Sequence, residues 1–270
     1  MKCKKILTAL LAAACTMSGC HGDLDIMQDN KLSASNMWID ESDAETATYG
    51  IYLYMRDALK SVHDIYLCWG EFRNGLWGAG TNKTLSGVDQ TQVRTSTMSS
   101  SNAYADWSVM YKTVNQANLI LKHVPEMGIS ESVRNFSLGN AYFSRAWCYF
   151  WIARIWGDAP LALTGYESTA GDLYLPRAPK AEIFARIESD LTEAERYVTD
   201  NSDKAVATPA AVQMLKADYA LWMYRVAGGG SSYLTMAEEA IETLNLSASR
   251  LESDYAQVFS SAIVRYDEPP

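Results

Sequence analysis

The stretch SLGNAYFSRAWCYFWIARIW, residues 137–156, decides the fold. It contains no proline, and its apolar side chains fall on nearly every side of a helical projection. Its polar stripe is narrow: Asn140, Ser144 and Arg154 project within about 80° of one another at about 100° per residue. The segment therefore reads as a central helix covered by neighbours. Arg145 falls outside that stripe, so it is expected to be buried against a carboxylate or carbonyl partner, because an unpaired buried charge is costly. Gly157-Asp158 turns the chain, and Pro160 keeps the helix from resuming.

Working outward, Trp107, Tyr111, Val114, Asn118 and Leu121 share one face of a helix over 104–124 that stops at Pro125. Downstream, a helix starts at Pro179 with Ile183, Ile187, Leu191, Ala194 and Val198 inward. Another opens at Thr208-Pro209, turns Val212, Leu215, Tyr219 and Trp222 inward and ends at Gly228 to Gly230. A last one begins at a capping box of Thr235 and Glu238 and buries Ala237, Ala240, Ile241 and Leu244. The first helix begins near Ser42, boxed with Glu45, carries Ala44, Ala47, Ile51, Met55 and Ala58, and ends near Leu59. No segment sustains period-two alternation, so the fold class is all-α: a tetratricopeptide-like helical-repeat array with long irregular loops. The longest loop, 61–103, is of a length that is usually functional or disordered, and Tyr66, Trp69 and Trp77 in its polar, Gly-rich sequence argue against simple disorder.

At the start of the chain Lys2, Lys4 and Lys5 precede an apolar run from Ile6 to Cys15, the layout of a secretory signal. Ten apolar residues are too few to cross a bilayer core of about 30 Å. Ser18-Gly19 before Cys20 is similar to a bacterial lipobox. Residues 1–19 are thus expected to be a signal peptide, Cys20 the lipidated first residue, 20–40 a tether and 41–270 the helical domain. Asp23 and Asp25 resemble the acidic signal that sends such lipoproteins to the outer face of the cell.

The whole chain of 270 residues carries a formal charge of −9. Losing the three leader lysines leaves 20 basic against 32 acidic residues, or −12. No basic run is present, which argues against a nucleic-acid partner. Apart from Cys20, the thiols left after processing are Cys68 and Cys148, read as buried and free, too few for a disulfide scaffold or zinc cluster. His21, His63 and His123 stand singly and offer no metal spacing, so no cofactor is expected. The unusual feature is eight Trp and sixteen Tyr.

These segments resemble the SusD/RagB family of outer-membrane nutrient-binding lipoproteins. Arg145-Ala146-Trp147-Cys148-Tyr149-Phe150 followed by Trp156-Gly157-Asp158-Ala159-Pro160-Leu161 is similar to its RA-x-x-YF and YGD-x-PL pattern. Trp107, Tyr111, Asn115 and Asn118 match a W-x-x-x-Y-x-x-x-N-x-x-N helix. Pro176-Arg177, Ile183, Asp190-Leu191 and Ala194 match a further segment, as do Asn36-Met37-Trp38 and Tyr49-Gly50-Ile51-Tyr52. Glu71-Phe72-Arg73-Asn74-Gly75 departs from the family's E-L-R-x-D by lacking the aspartate. The chain has about half the family's usual length, so the resemblance implies a further C-terminal region that in relatives supplies part of the ligand site and of the transporter contact.

The resemblance implies a non-catalytic protein at the cell outer membrane, held through a lipid anchor only. It would bind oligosaccharides or other nutrients and deliver them to a SusC-type TonB-dependent transporter. Neutral sugars are held by flat aromatic faces with a few amide and hydroxyl hydrogen bonds. Trp77 is accordingly expected as a stacking platform, Asn82 and Asp89 as polar contacts, and Arg73 as a further contact. Two other classes compete. A surface glycosidase would need paired carboxylates about 5–10 Å apart, for which Glu71 and Asp89 are the nominees in the loop. A helical-repeat scaffold would bind protein without a small-molecule site of its own.

Overall fold

The computed structural model describes residues 37–74, 87–169 and 173–244. The chain divides into a leading unit, 1–39, and a body from Asp40 onward. In the body α1 spans Glu41–Trp69, α2 Val88–Thr95, α3 Ser108–His123, α4 Glu131–Trp156, α5 Lys180–Tyr197, α6 Pro209–Arg225 and α7 Ser232–Thr243. Short 3-10 turns occupy Glu71–Arg73, Ala103–Ala105 and Val124–Glu126. Residues Ala159–Pro160 (β1) and Arg177–Ala178 (β2) form a two-residue antiparallel ladder, which leaves the class all-α.

The central position of α4 is borne out, since α1, α3, α5 and α6 all pack on it. Ala146, Cys148, Tyr149, Phe150 and Ile152 are inaccessible to solvent. The helix begins six residues before Ser137, because Glu131 to Phe136 continue it to the N-cap Ser130. Of its polar stripe only Arg154 reaches solvent, its side chain 25% exposed. Asn140 and Ser144 are buried, and the Asn140 Oδ1 accepts from the Tyr52 hydroxyl and, at 3.1 Å, from the Ala207 amide. Its Nδ2 donates to the Phe136 carbonyl at 2.7 Å.

Arg145 is buried as expected. Nε and Nη2 donate to the two oxygens of Asp190 at 2.8 and 2.7 Å, and Nη1 donates to Asn118 Oδ1 at 2.7 Å. Three helices are tied at one guanidinium whose fixed fork matches a carboxylate. The motif residues Asn118, Arg145 and Asp190 thus owe their types to this junction.

A strap over 160–166 crosses the same face of α3 and α4 and is held by its backbone. Tyr111 donates to the Pro160 carbonyl at 2.6 Å, and Tyr149 to Ala162 at 2.7 Å. Asn118 Nδ2 is shared between Ala162 and Thr164 at 3.0 and 3.3 Å. Asn115 pairs with both polar atoms of the Tyr166 peptide, at 3.1 and 2.7 Å. Gly165 packs so closely on α3 that an added Cβ would stand 2.9 Å from the Leu119 amide nitrogen.

Several boundaries differ from the sequence reading. The first helix is capped by Asp40 and Asp43, which accept each other's amides at 3.1 and 3.2 Å, two residues ahead of Ser42 and Glu45. It continues to Trp69 instead of stopping near Leu59, because Ile65, Cys68 and Trp69 extend its buried stripe past the polar residues 60–61. Pro179 is the N-cap of α5 and not its first helical residue; the Asp158 carboxylate supplies the acceptor for the Lys180 amide at 2.8 Å. α7 starts at Ser232, ahead of the Thr235 and Glu238 box, and Ile241 is exposed. Thr208 does cap α6 through the Ala211 amide at 3.2 Å, and Cys68 and Cys148 are buried and not joined in a disulfide.

Candidate functional site

The turn that follows α3's predecessor in the chain builds the site. Trp69, at the end of α1, donates its indole N–H to the Tyr104 carbonyl at 2.9 Å, and Trp156, at the end of α4, donates to Ala105 at 3.2 Å. Two buried or half-buried indoles therefore hold the 3-10 turn Ala103–Ala105 against the helix ends. Asn102 caps that turn by accepting from the Tyr104 amide at 2.9 Å, while its Nδ2 donates to Gln92 and to the Asp89 carbonyl at 2.8 and 3.1 Å. Burial pushes the Tyr104 phenol up to about 12, with Cys68 adding to the shift, so it stays protonated beside Gln90.

This wall and the helix ends enclose a cleft of about 1020 Å³. Its rings interlock: Trp69 meets Trp156 at 5.3 Å and 77°, and Trp151 at 5.8 Å and 45°. Trp107 meets Trp156 at 6.2 Å and 61°. Tilted and edge-on contacts of this kind fix ring orientation as well as burying area. Guanidinium groups lie among the rings. Arg177 sits 4.7 Å over Trp107, and Arg154 lies 4.0 Å over Phe150 and 4.7 Å over Trp151. Arg154 also pairs with Asp218 at 3.5 Å, and Arg177 donates to the Asp158 carbonyl at 2.8 Å. Ser99, Ser100 and Ser101 supply hydroxyls along one edge.

Of the residues nominated from sequence, Arg73 lines this cleft, exposed on its 3-10 turn. Asp89 stands behind the wall, its carboxylate accepting from the Ala103 amide at 3.3 Å. Trp77 and Asn82 lie outside the described residues. Sequence reasoning passed over Trp107, Trp151, Arg154 and Arg177 as site residues, having read the first as a helix-face residue, the second and third as part of the central helix and the last as a family motif. The spacing Trp151 to Arg154, which puts a cation over an indole one turn away, was the available signal.

Among the described lining residues Asp106 is the one carboxylate, and it is engaged by the Ser108 amide and hydroxyl at 2.8 and 2.9 Å. Glu71, a nominee of the glycosidase reading, is exposed and accepts from Asn74 at 2.8 Å. Among the described residues no group of three acidic, His or Cys side chains could hold a metal ion, and no helix is long and apolar enough to cross a membrane. A smaller cavity of about 480 Å³ lies between α3 and the strap, lined by Tyr111, Val114, Pro160, Ala162, Tyr166 and Leu173 among others.

Residues 78–226 match a SusD-like family described as starch-binding and associating with the outer membrane. SusD-like protein P38 of Formosa agariphila is 26% identical over 190 residues, 70% of this chain and 36% of that protein. NanU of Bacteroides fragilis superposes with a TM-score of 0.68 at 28% identity, over 86% of this chain and 47% of its own. A SusD superfamily protein from the same organism gives 0.69 at 24% identity, over 82% of this chain and 46% of its own. The match with these relatives thus spans less than half of their length. The helical, tetratricopeptide-like architecture is common to these structures and to this body. With more than half of its residues inside the family match and the fold shared, the chain belongs to the SusD-like, or SusD/RagB, family.

Proposed function

We propose that the chain binds oligosaccharides or related nutrients in the cleft between Trp69, Trp107, Trp151 and Trp156, without performing chemistry on them. The observation that carries this reading is the cleft itself: indole rings fixed by edge contacts, beside guanidinium, hydroxyl and amide donors. A sugar ring offers apolar C–H faces and a rim of hydroxyls, and this pairing of flat rings with polar edges suits both. The family's description supports the starch-like ligand class and the outer-membrane setting.

In this reading residues 1–19 are removed on export, Cys20 carries the lipid, 20–40 tether the body, and 41–270 form the helical binding domain. The cargo passes to a SusC-type TonB-dependent transporter at the outer membrane. Trp77 and Asn82, which follow Arg73 in the sequence, are proposed as further ligand contacts.

Calorimetric titration of the intact chain with a panel of oligosaccharides tests the proposal. At least one member should bind, and Trp107→Ala or Trp151→Ala should weaken it about tenfold, the loss of about 1.4 kcal/mol. Equal affinity in both variants would remove the cleft from consideration.

A protein-binding scaffold is the second reading, favoured by Met214, Leu221 and Tyr224, which stand exposed on one face of α6. Co-purification with a barrel transporter in the absence of any saccharide binding would select it.

A further inference from the structure

The chain as a whole is acidic, with a formal charge of −9, yet its aromatic cleft is not. Three of the described lining residues, Arg73, Arg154 and Arg177, are arginines, against Asp106 alone. Asp106 is turned to the start of α3, where it accepts from the Ser108 amide and hydroxyl. Arg154 is partly balanced by Asp218 at 3.5 Å, whose side chain is largely exposed to water and so weakly felt inside the cleft. Positive charge is therefore concentrated where a ligand would sit, in a protein whose remaining surface repels anions.

Stabilising the helix ends does not require this concentration. Indole N–H bonds to Tyr104 and Ala105 already secure the wall, and the rings hold one another by edge contacts. The guanidinium groups of Arg154 and Arg177 lie over the rings of Trp151 and Trp107, each 4.7 Å from the ring centroid. A guanidinium held over a ring loses less further freedom when it binds, and its fork presents parallel N–H donors that match two oxygens of an oxyanion. Arg177 gives one such donor to the Asp158 carbonyl, which orients the group without neutralising it. Arg154 is the half-buried one of the three, with a side chain 25% exposed, so a charged hydrogen bond made to it is the least screened by water.

From these observations we infer that the cleft selects an anionic saccharide, a sugar acid or a sulfated sugar, whose oxyanion meets Arg73, Arg154 and Arg177 while its ring lies against the tryptophans. The inference rests on the proposed function and narrows its ligand class. Neutral glucans meet the same rings but leave the guanidinium groups with water alone, so they bind more weakly.

The test is calorimetric titration of the intact chain with four probes: oligogalacturonate, its methyl ester, a sulfated galactan oligosaccharide and a neutral malto-oligosaccharide of equal length. One or both anionic probes should bind at least about tenfold more tightly than the neutral one, as expected for gaining a charge-assisted hydrogen bond. If oligogalacturonate is the tighter anion, esterification should remove the preference; if the sulfated probe is, the anion recognised is sulfate. Affinity for the preferred anion should fall severalfold between about 0.05 and 0.5 M salt, over which screening tightens. Arg73→Gln, on an exposed turn where folding is not at stake, should reduce the preference, and Arg177→Gln should reduce it further. Equal binding of charged and neutral probes, or a preference that survives in both arginine variants, overturns the inference while leaving the proposed function intact. Failure of every probe to bind overturns both.

Discussion

Arg145 and Asp190 meet as a two-bonded pair, Nε to Oδ2 at 2.8 Å and Nη2 to Oδ1 at 2.7 Å, with the carboxylate fully out of solvent. The pair joins the centre of α4 to α5, and its third donor reaches Asn118 on α3. Removing Asp190 strands the Arg145 charge in the core, whereas without Arg145 the carboxylate keeps only Arg186, 3.6 Å away. Asp190→Ala is expected to cost about 3–5 kcal/mol, whereas replacing both residues with apolar ones of similar volume should cost less than either single change. Denaturant unfolding of the three variants checks the order.

Gly139 lies inside α4, where exchanging glycine for alanine ordinarily stabilises a helix by about 0.5–1 kcal/mol. Here the sign reverses. An added Cβ would stand 2.7 Å from Val198 Cγ2 and 3.0 Å from its backbone nitrogen, and backbone cannot swing aside. Gly139→Ala is expected to destabilise by about 1–3 kcal/mol, read as a lowered melting midpoint. Adding Val198→Ala should recover only part of the loss, because the backbone contact stays.

Glu167 closes the strap onto the end of α3 by accepting from Lys122 and meeting His123 Nε2 at 2.8 Å. The Lys122 hydrogen bond, with help from His123, holds its carboxyl below the ordinary value of 4.5. A depressed carboxyl stabilises the fold above its unfolded value and loses that contribution as pH falls through the folded one. Thermal melts of the parent protein and Glu167→Gln should therefore differ at neutral pH and converge as pH drops below about 4.5.

Burial raises the Cys148 thiol well above its usual range, with Thr113 opposing only weakly, and Cys68 is equally enclosed. Both should resist iodoacetamide in the native protein and react once it is unfolded in urea, since the thiolate is the reactive form. Peptide mapping by mass spectrometry resolves them from the cysteines of the leader. Rapid native labelling of Cys148 would contradict its place in the core.

Metabolic labelling with palmitate tests the anchor. Incorporation should be lost in Cys20→Ala, and labelling that persists would exclude Cys20 as the lipidated residue.

The core was legible in the sequence wherever one residue type had one physical reason. The stripe Ile183, Ile187, Leu191, Ala194 and Val198 is buried throughout, and Arg145 has the partner that burial demands. Boundaries were less legible, because Asp40 and Asp43 offer the same capping chemistry as Ser42 and Glu45 two residues later, and spacing alone does not rank them. The cleft was least legible. Trp151 and Trp156 satisfy a core reading and a site reading equally, and what separates them is the convergence of α1, α4 and the 3-10 turn from residues more than thirty positions apart. Asp89 shows the converse: read from sequence as a loop residue, it lies in the first turn of α2, and its carboxylate is spent on the Ala103 amide.

The strap over 160–166 separates two kinds of information. Tyr111, Asn115, Asn118 and Tyr149 address its peptide groups and none of its side chains. The route is therefore written on the helices, and the strap's own sequence carries little of the instruction. Gly165 is the exception, because the Leu119 backbone leaves it no room for a Cβ. Of the other strap residues, Pro160, Ala162 and Tyr166 line the adjoining 480 Å³ cavity, and substitutions there are expected to change its wall while the helix-borne hydrogen bonds keep the route. A surface of this kind can be rewritten letter by letter while its scaffold keeps the same text.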